Sequence, residues 1–171
     1  MRIPRKIKEN VFYHVVARAN RKEFIFNTTE IKEMFILVLK KAKKKYSFQI
    51  KNFCIMDNHI HLLIKPGENI NLSKIMQWIL SVFAIRYNKK YGYIGHVWYD
   101  RFKSSIIENL KEFINTYKYI ANNPVAAKIV KKVQNYYYCG INYKKFEFID
   151  PPDKLEEKLL KYFFNDVFRE L

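Results

Sequence analysis

Two of the chain's four histidines, His59 and His61, stand one residue apart in the apolar run Cys54 to Ile64. A β-strand alternates its side chains, so His59, His61 and Leu63 share one face while Ile60, Leu62 and Ile64 share the other. One face wants a hydrophobic partner, and the other carries two nitrogen ligands. Further along, a helical segment opens at Asn109. At about 100° per residue, Leu110, Phe113, Ile114, Tyr117, Ile120 and Ala121 gather into one buried stripe. Tyr119 lies nearly opposite that stripe, with Asn115 and Asn123 four residues away on either side. Two imidazoles and an amide oxygen can hold a divalent ion with open positions, and a phenol beside such an ion can be activated as a nucleophile. Each piece has an ordinary reading too. Four histidines placed at random give some H-x-H roughly 7% of the time, and an exposed tyrosine is commonplace in a chain with thirteen.

The elements that must position these groups can be read from periodicity. Val11 to Arg18 is rich in β-branched and aromatic residues and reads as a strand. Thr29 to Lys45 has helical spacing through Ile31, Met34, Phe35, Val38, Leu39 and Ala42. Its terminal lysines suit the helix dipole and would equally suit phosphate. The runs "FQIKNFCIM" and "HIHLLIKP", separated by Asp57 and Asn58, read as a hairpin. Asn71 to Tyr91 reads as a second helix stopped by Gly92, and "KSSIIE" as a short strand after a glycine-containing loop. Asn109 and Glu112 have capping-box spacing at the start of the third helix, and Pro124 is expected to end it. A last helix is expected over Lys154 to Arg169. This order predicts an α+β fold, an antiparallel sheet with helices on one face and the other left open.

Length and composition narrow the partners. A chain of 171 residues supports one good core, and nearly half its residues are apolar. The organisation expected is a domain over residues 1–135 and a C-terminal extension over 136–171 packed on it. With 32 Lys and Arg against 16 Asp and Glu, the formal charge of +16 exceeds what solubility requires and calls for a polyanion. No apolar segment approaches the ~20 residues that span a bilayer. The basic N-terminus lacks the apolar core of a secretory signal. Nucleic acid is therefore favoured over a membrane, and a cytoplasmic location is expected. Cys54 and Cys139 lie outside any metal or disulfide pattern and read as small buried thiols.

Four ordered segments carry a resemblance: "YHVVARANRKEFIF", "MDNHIHLLIKP", "GHVWYDRFKS" and "YIANNPVAA". In order and spacing they are similar to the single-tyrosine HUH transposases, most of all to the REP-associated branch of the IS200-like transposases, over roughly residues 8 to 135. The resemblance implies a ferredoxin-like sheet whose open face carries the active site. It implies Tyr119 as the nucleophile, and His59, His61 and Asn123 as ligands of Mg²⁺ or Mn²⁺. The implied activity is cleavage and rejoining of hairpin-bearing single-stranded DNA through a 5′-phosphotyrosine, by a monomer or a homodimer. Arg18, Asn20, Arg21, Trp98, Arg101 and Lys103 are the candidates for binding DNA, with Trp98 and Tyr99 able to stack on bases. His14, in the first segment, reads better as a hydrogen-bonded structural histidine.

The chain departs from the family's wording in three places. Asp57 replaces a common proline, which a turn tolerates. Ala19 replaces a glycine, adding a β-carbon where backbone is expected to approach DNA. The tail "YYYCGINYKKF" lacks the Trp-Ser-Ser wording of the branch, so hairpin recognition by the tail is not implied. Two other functions compete. A domesticated single-strand DNA- or RNA-binding protein without chemistry would need the same basic aromatic surface, but would be free to lose His59, His61, Tyr119 or Asn123. A metal-dependent hydrolase would need a carboxylate base, and none is obviously placed.

Overall fold

A computed structural model describes residues 8–163 of the chain. Strand β1 (Phe12–Arg18) is followed by helix α1 (Thr29–Lys45), the hairpin β2 (Phe48–Ile55) and β3 (His59–Pro66), and helix α2 (Leu72–Tyr91). Strand β4 (Lys103–Ile107), helix α3 (Leu110–Ala126) and helix α4 (Lys154–Phe163) complete the order, with short 3-10 segments between. The sheet order is β2-β3-β1-β4, and every pairing is antiparallel. This is the α+β architecture that the alternation of apolar patterns predicts. The residues expected for the last helix beyond Phe163, like the basic residues 1–7, lie outside the described residues.

Helix boundaries follow local chemistry. Thr28 Oγ1 accepts from Ile31 N to open α1, and Asn71 Oδ1 accepts from Ser73 N to open α2. Gly92, at φ 65°, closes α2 in the left-handed conformation that glycine adopts without cost. At α3, Asn109 Oδ1 accepts from Glu112 N, a donor of the first turn, while Glu112 Oε2 accepts from Glu108 N just before the cap.

The expected stop at Pro124 does not occur, and α3 runs on to Ala126. Proline removes its own N–H and crowds the carbonyl four residues back, but it already has helical φ. Here it sits two residues from the helix end and is buried, and Ala127 N still bonds Asn123 O.

Strand alternation sorts the sheet into two surfaces. Tyr13, Val15 and Ala17 pair with Ile64, Leu62 and Ile60, and with Phe35, Leu39, Ile75, Ile79 and Phe83 of α1 and α2 they form the larger core. His14, Val16 and Arg18 face the other way. That second face is less open than expected. α3 lays Phe113, Ile114, Tyr117, Ile120 and Ala121 over Leu63, Cys54 and Ile107, making a second core. What remains open is the end of the face where the histidines emerge.

Residues 136–150 run beside β2 and cover its free edge, an arrangement that blocks unwanted strand pairing. Ile55 N bonds Tyr138 O and Asp150 N bonds Ile50 O. Lys43 Nζ bonds both Phe48 O and Asp150 Oδ2, and Lys45 lies over the Tyr46 and Trp78 rings, so two lysines of the α1 run serve the fold. Cys54 and Cys139 form an isolated antiparallel bridge as free buried thiols.

Candidate active site

The register of three strands sets the floor of the site. Val16 pairs with His61, Arg18 with His59, and on the other side His14 pairs with Ser105 and Val16 with Lys103. Directly paired residues point to one side of a sheet. Arg18, His14, His59, His61, Lys103 and Ser105 therefore share one surface. α3 crosses the neighbouring half of that surface and brings Tyr119 to its border. The Tyr119 ring centroid lies 5.6 Å from that of His61 and 5.6 Å from that of His14, both edge-on. Tyr119 is 56% exposed while His61 is only 3% exposed, so the phenol sits at the mouth and the imidazole at the floor.

α3 is held in place by a buried amide. A bulge at Lys51, between Ile50 and Asn52, turns Asn52 inward, where it is fully buried. Its Nδ2 donates to Tyr117 O at 3.0 Å and its Oδ1 accepts from Phe53 N at 2.8 Å. Two residues beyond that carbonyl is Tyr119. Gly140 packs against the same bulge so closely that a β-carbon there would lie 2.7 Å from Asn52 Oδ1 and 2.8 Å from Phe53 N.

The turn before β3 aims His59. Phe26 N bonds Asp57 O and Ala19 N bonds Asn58 O, tying the turn to the segment after β1. Asp57 Oδ1 also accepts from Lys32 Nζ at 2.9 Å, which explains why aspartate is tolerated there. His59 Nδ1 lies 2.6 Å from Asn58 Oδ1, an oxygen that can only accept, so the proton is on Nδ1 and Nε2 carries the lone pair. His61 Nδ1 lies 2.9 Å from His14 Nε2. His61 Nε2 is buried and has no hydrogen-bond partner among the described residues.

All three imidazoles are held neutral at physiological pH. Burial lowers the pKa of His61 to about 3, with His59, His14 and Arg18 adding repulsion against a further charge. Burial and then Arg18 lower that of His59, and burial lowers that of His14. Neutral imidazoles with Nδ1 occupied and Nε2 bare are the form that binds a divalent metal ion. The orphaned Nε2 of His61 thus fits a metal ligand. No third His, Cys, Asp or Glu joins the pair among the described residues, so the remaining positions would fall to amide, phosphate or water oxygens. Asn123 Nδ2 donates to Tyr119 O at 2.7 Å, a bond that leaves the carboxamide oxygen unspent.

The DNA-binding candidates divide. Arg18 and Lys103 lie exposed on the histidine face. Asn20 and Arg21 form a 3-10 turn after β1, with Asn20 N bonded to Val97 O and Arg21 exposed at φ 50°. Arg101 is exposed just before β4.

Trp98 turns toward the core: its Nε1 donates to Leu80 O, and its ring packs among Phe26, Phe35 and Phe83. The indole is half-buried, packed against the larger core. Its neighbour Tyr99, 72% exposed with its N bonded to Arg18 O, is the aromatic left at the rim. Ala19 is fully buried at an ordinary φ of −62°, so neither a glycine nor a close backbone approach is required there. Sequence reasoning passed over Asn58, Ser105 and Asn52. The alternation that places His14 and Arg18 on one strand face was the available signal for the first shared surface, whereas no local pattern announces a buried amide at a bulge.

Comparison with known proteins bears on the family and the fold. A family model described as "Transposase IS200 like" matches residues 7–123. A Haemophilus influenzae protein assigned as a REP-associated tyrosine transposase is 27% identical over 142 residues, covering 77% of this chain and 78% of that protein. Among solved structures, a REP-associated tyrosine transposase bound to a REP hairpin superposes with a TM-score of 0.72 at 20% identity, covering 88% of each chain. A Deinococcus radiodurans protein assigned as a transposase superposes with a TM-score of 0.51 at 13% identity, over 71% of this chain and 97% of that one.

Proposed function

The chain belongs to the family of IS200-like transposases, and on that footing we propose that it cleaves and rejoins single-stranded DNA at hairpin-bearing ends, with Tyr119 as nucleophile. The observation that carries this reading is the approach of the exposed Tyr119 ring to the neutral imidazole of His61, whose Nε2 has no partner among the described residues, on one sheet face. The Tyr119 oxygen attacks a backbone phosphorus, the bond from phosphorus to the 3′ oxygen breaks, and a 5′-phosphotyrosine forms. The phenol gives up its proton and the departing oxygen gains one, leaving a free 3′-hydroxyl. No water enters, so the phosphodiester can be rebuilt by the reverse reaction.

His59 and His61 would hold Mg²⁺ or Mn²⁺, with Asn123 as the amide ligand. When bound, the ion supplies a positive charge that polarises a phosphate oxygen. Arg18 and Lys103, on the same face, draw the phosphate backbone toward Tyr119. Asn52, through the Tyr117 carbonyl, fixes how far α3 stands above the floor. Hairpin DNA is the substrate favoured, because the chain is similar to a protein whose structure was solved with a REP hairpin.

The test incubates protein, Mn²⁺ and labelled single-stranded hairpin DNA from the ends of its own locus, then resolves the products on a denaturing gel. A covalent adduct is expected for the wild type and none for Tyr119→Phe, whose DNA binding persists. An adduct that survives in Tyr119→Phe refutes the assignment of the nucleophile. DNA binding without any adduct supports a non-cleaving binding protein instead.

A further inference from the structure

We propose that His14 is a positioning residue: it accepts a hydrogen bond from His61 Nδ1–H and so fixes the tautomer that leaves the His61 Nε2 lone pair free for a ligand. This rests on the reading of His61 as a metal ligand, and it assigns work to a histidine whose strand position alone says only that it shares the sheet face.

The geometry is specific. His14 stands on β1, diagonal to His61 across the β1–β3 ladder, with Nε2 2.9 Å from His61 Nδ1 and the rings stacked at 20° with centroids 5.2 Å apart. The two nitrogens share one proton, which belongs to either ring. If His14 donates, His61 must carry its own proton on Nε2, an N–H buried with no acceptor among the described residues. A buried donor without a partner is costly, and such a tautomer cannot bind a cation. If His61 donates, both imidazoles of the HxH pair have the same form: Nδ1–H engaged and Nε2 bare.

At His59 that form is imposed by Asn58 Oδ1, an acceptor with no alternative. At His61, among the described residues, His14 is the group placed to impose it, and to do so His14 must keep its proton on Nδ1. Second-shell acceptors of this kind orient metal-binding histidines and raise their basicity. His14 also meets the Tyr119 ring edge-on at 5.6 Å, so one side chain touches both the ligand and the nucleophile.

The experiment reads the tautomer directly. Imidazole ¹⁵N spectra of the metal-free protein are recorded for wild type, His14→Leu and His14→Gln, and Mn²⁺ affinity is measured by calorimetry. In the wild type His61 is expected to show Nδ1–H with a bare Nε2. In His14→Leu the proton moves to Nε2 or averages over both nitrogens, and Mn²⁺ affinity falls by about 10–100-fold. His14→Gln places an acceptor oxygen near the position of Nε2 and is expected to restore both readouts. Should His14→Leu fail to fold, His14→Asn, polar but too short to reach His61, takes its place.

A wild-type spectrum with His61 protonated on Nε2 overturns the proposal. So does an unchanged tautomer and Mn²⁺ affinity in His14→Leu or its replacement. A tautomer that depends on His14 in a protein that binds no Mn²⁺ upholds the positioning role and refutes the metal site.

Discussion

His61 makes the protein sensitive to mild acid in a way that can be calculated. In the unfolded chain its imidazole takes a proton as pH falls through about 6.5. In the folded chain burial, followed by the repulsion of His59, His14 and Arg18, holds its pKa at about 3. Between those values the unfolded state binds one more proton than the native state, so stability is full above about pH 6.5 and declines as pH drops. The slope is about 1.4 kcal/mol per pH unit, and from about pH 7 to about pH 5 the loss is roughly 2 kcal/mol. The assay is urea unfolding of metal-free protein at those two pH values, comparing wild type with His61→Gln. Glutamine does not titrate, so the variant should lose roughly 2 kcal/mol less over the interval. His14 and His59 titrate in both proteins, so the difference between the two losses reports chiefly on His61. Equal losses in the two proteins would mean that His61 is hydrated or already charged in the native state, and the argument for a neutral ligand would fail.

Other expectations follow from the same contacts. Asn52→Ala removes two buried hydrogen bonds and should cost about 2–4 kcal/mol, read as a lower thermal midpoint together with weaker adduct formation; an unchanged midpoint would show that the bulge does not anchor α3. Trp98→Ala should cost about 3 kcal/mol of stability, as expected for a half-buried ring packed against the core. Tyr99→Ala should leave stability intact and weaken single-stranded DNA binding by about 1–3 kcal/mol in a fluorescence titration; a reversed pattern would contradict the placement of the two side chains. Mn²⁺ at about 100 times its dissociation constant should raise the stability of the wild type by about 2.7 kcal/mol and leave His61→Gln unmoved, and equal shifts in both would place the ion elsewhere. DNA affinity should fall steeply with salt, and a flat response would detach the +16 charge from phosphate binding.

Much of this molecule is written locally. Period-two alternation placed His59 and His61 on one strand face, and period 3.6 turned Tyr119 and Asn123 away from the stripe of Phe113, Tyr117 and Ile120. Both periods are fixed by backbone geometry and need no knowledge of neighbours. Capping chemistry likewise placed the start of α3, because the side chains that satisfy its orphan donors lie within three residues of it.

What the chain could not announce is what depends on contacts between distant segments. Whether α3 lies over the histidine face, whether Pro124 is tolerated inside it, and whether Trp98 or Tyr99 meets solvent were settled by packing against other elements. The partnership of His14 with His61 spans 47 residues, and that of Asn52 with the Tyr117 carbonyl spans 65. Sequence determined which groups were available and which way each faced along its own element. Tertiary structure alone decided which of them met, because the distance between two strands or between a helix and a sheet is set by the side chains packed between them.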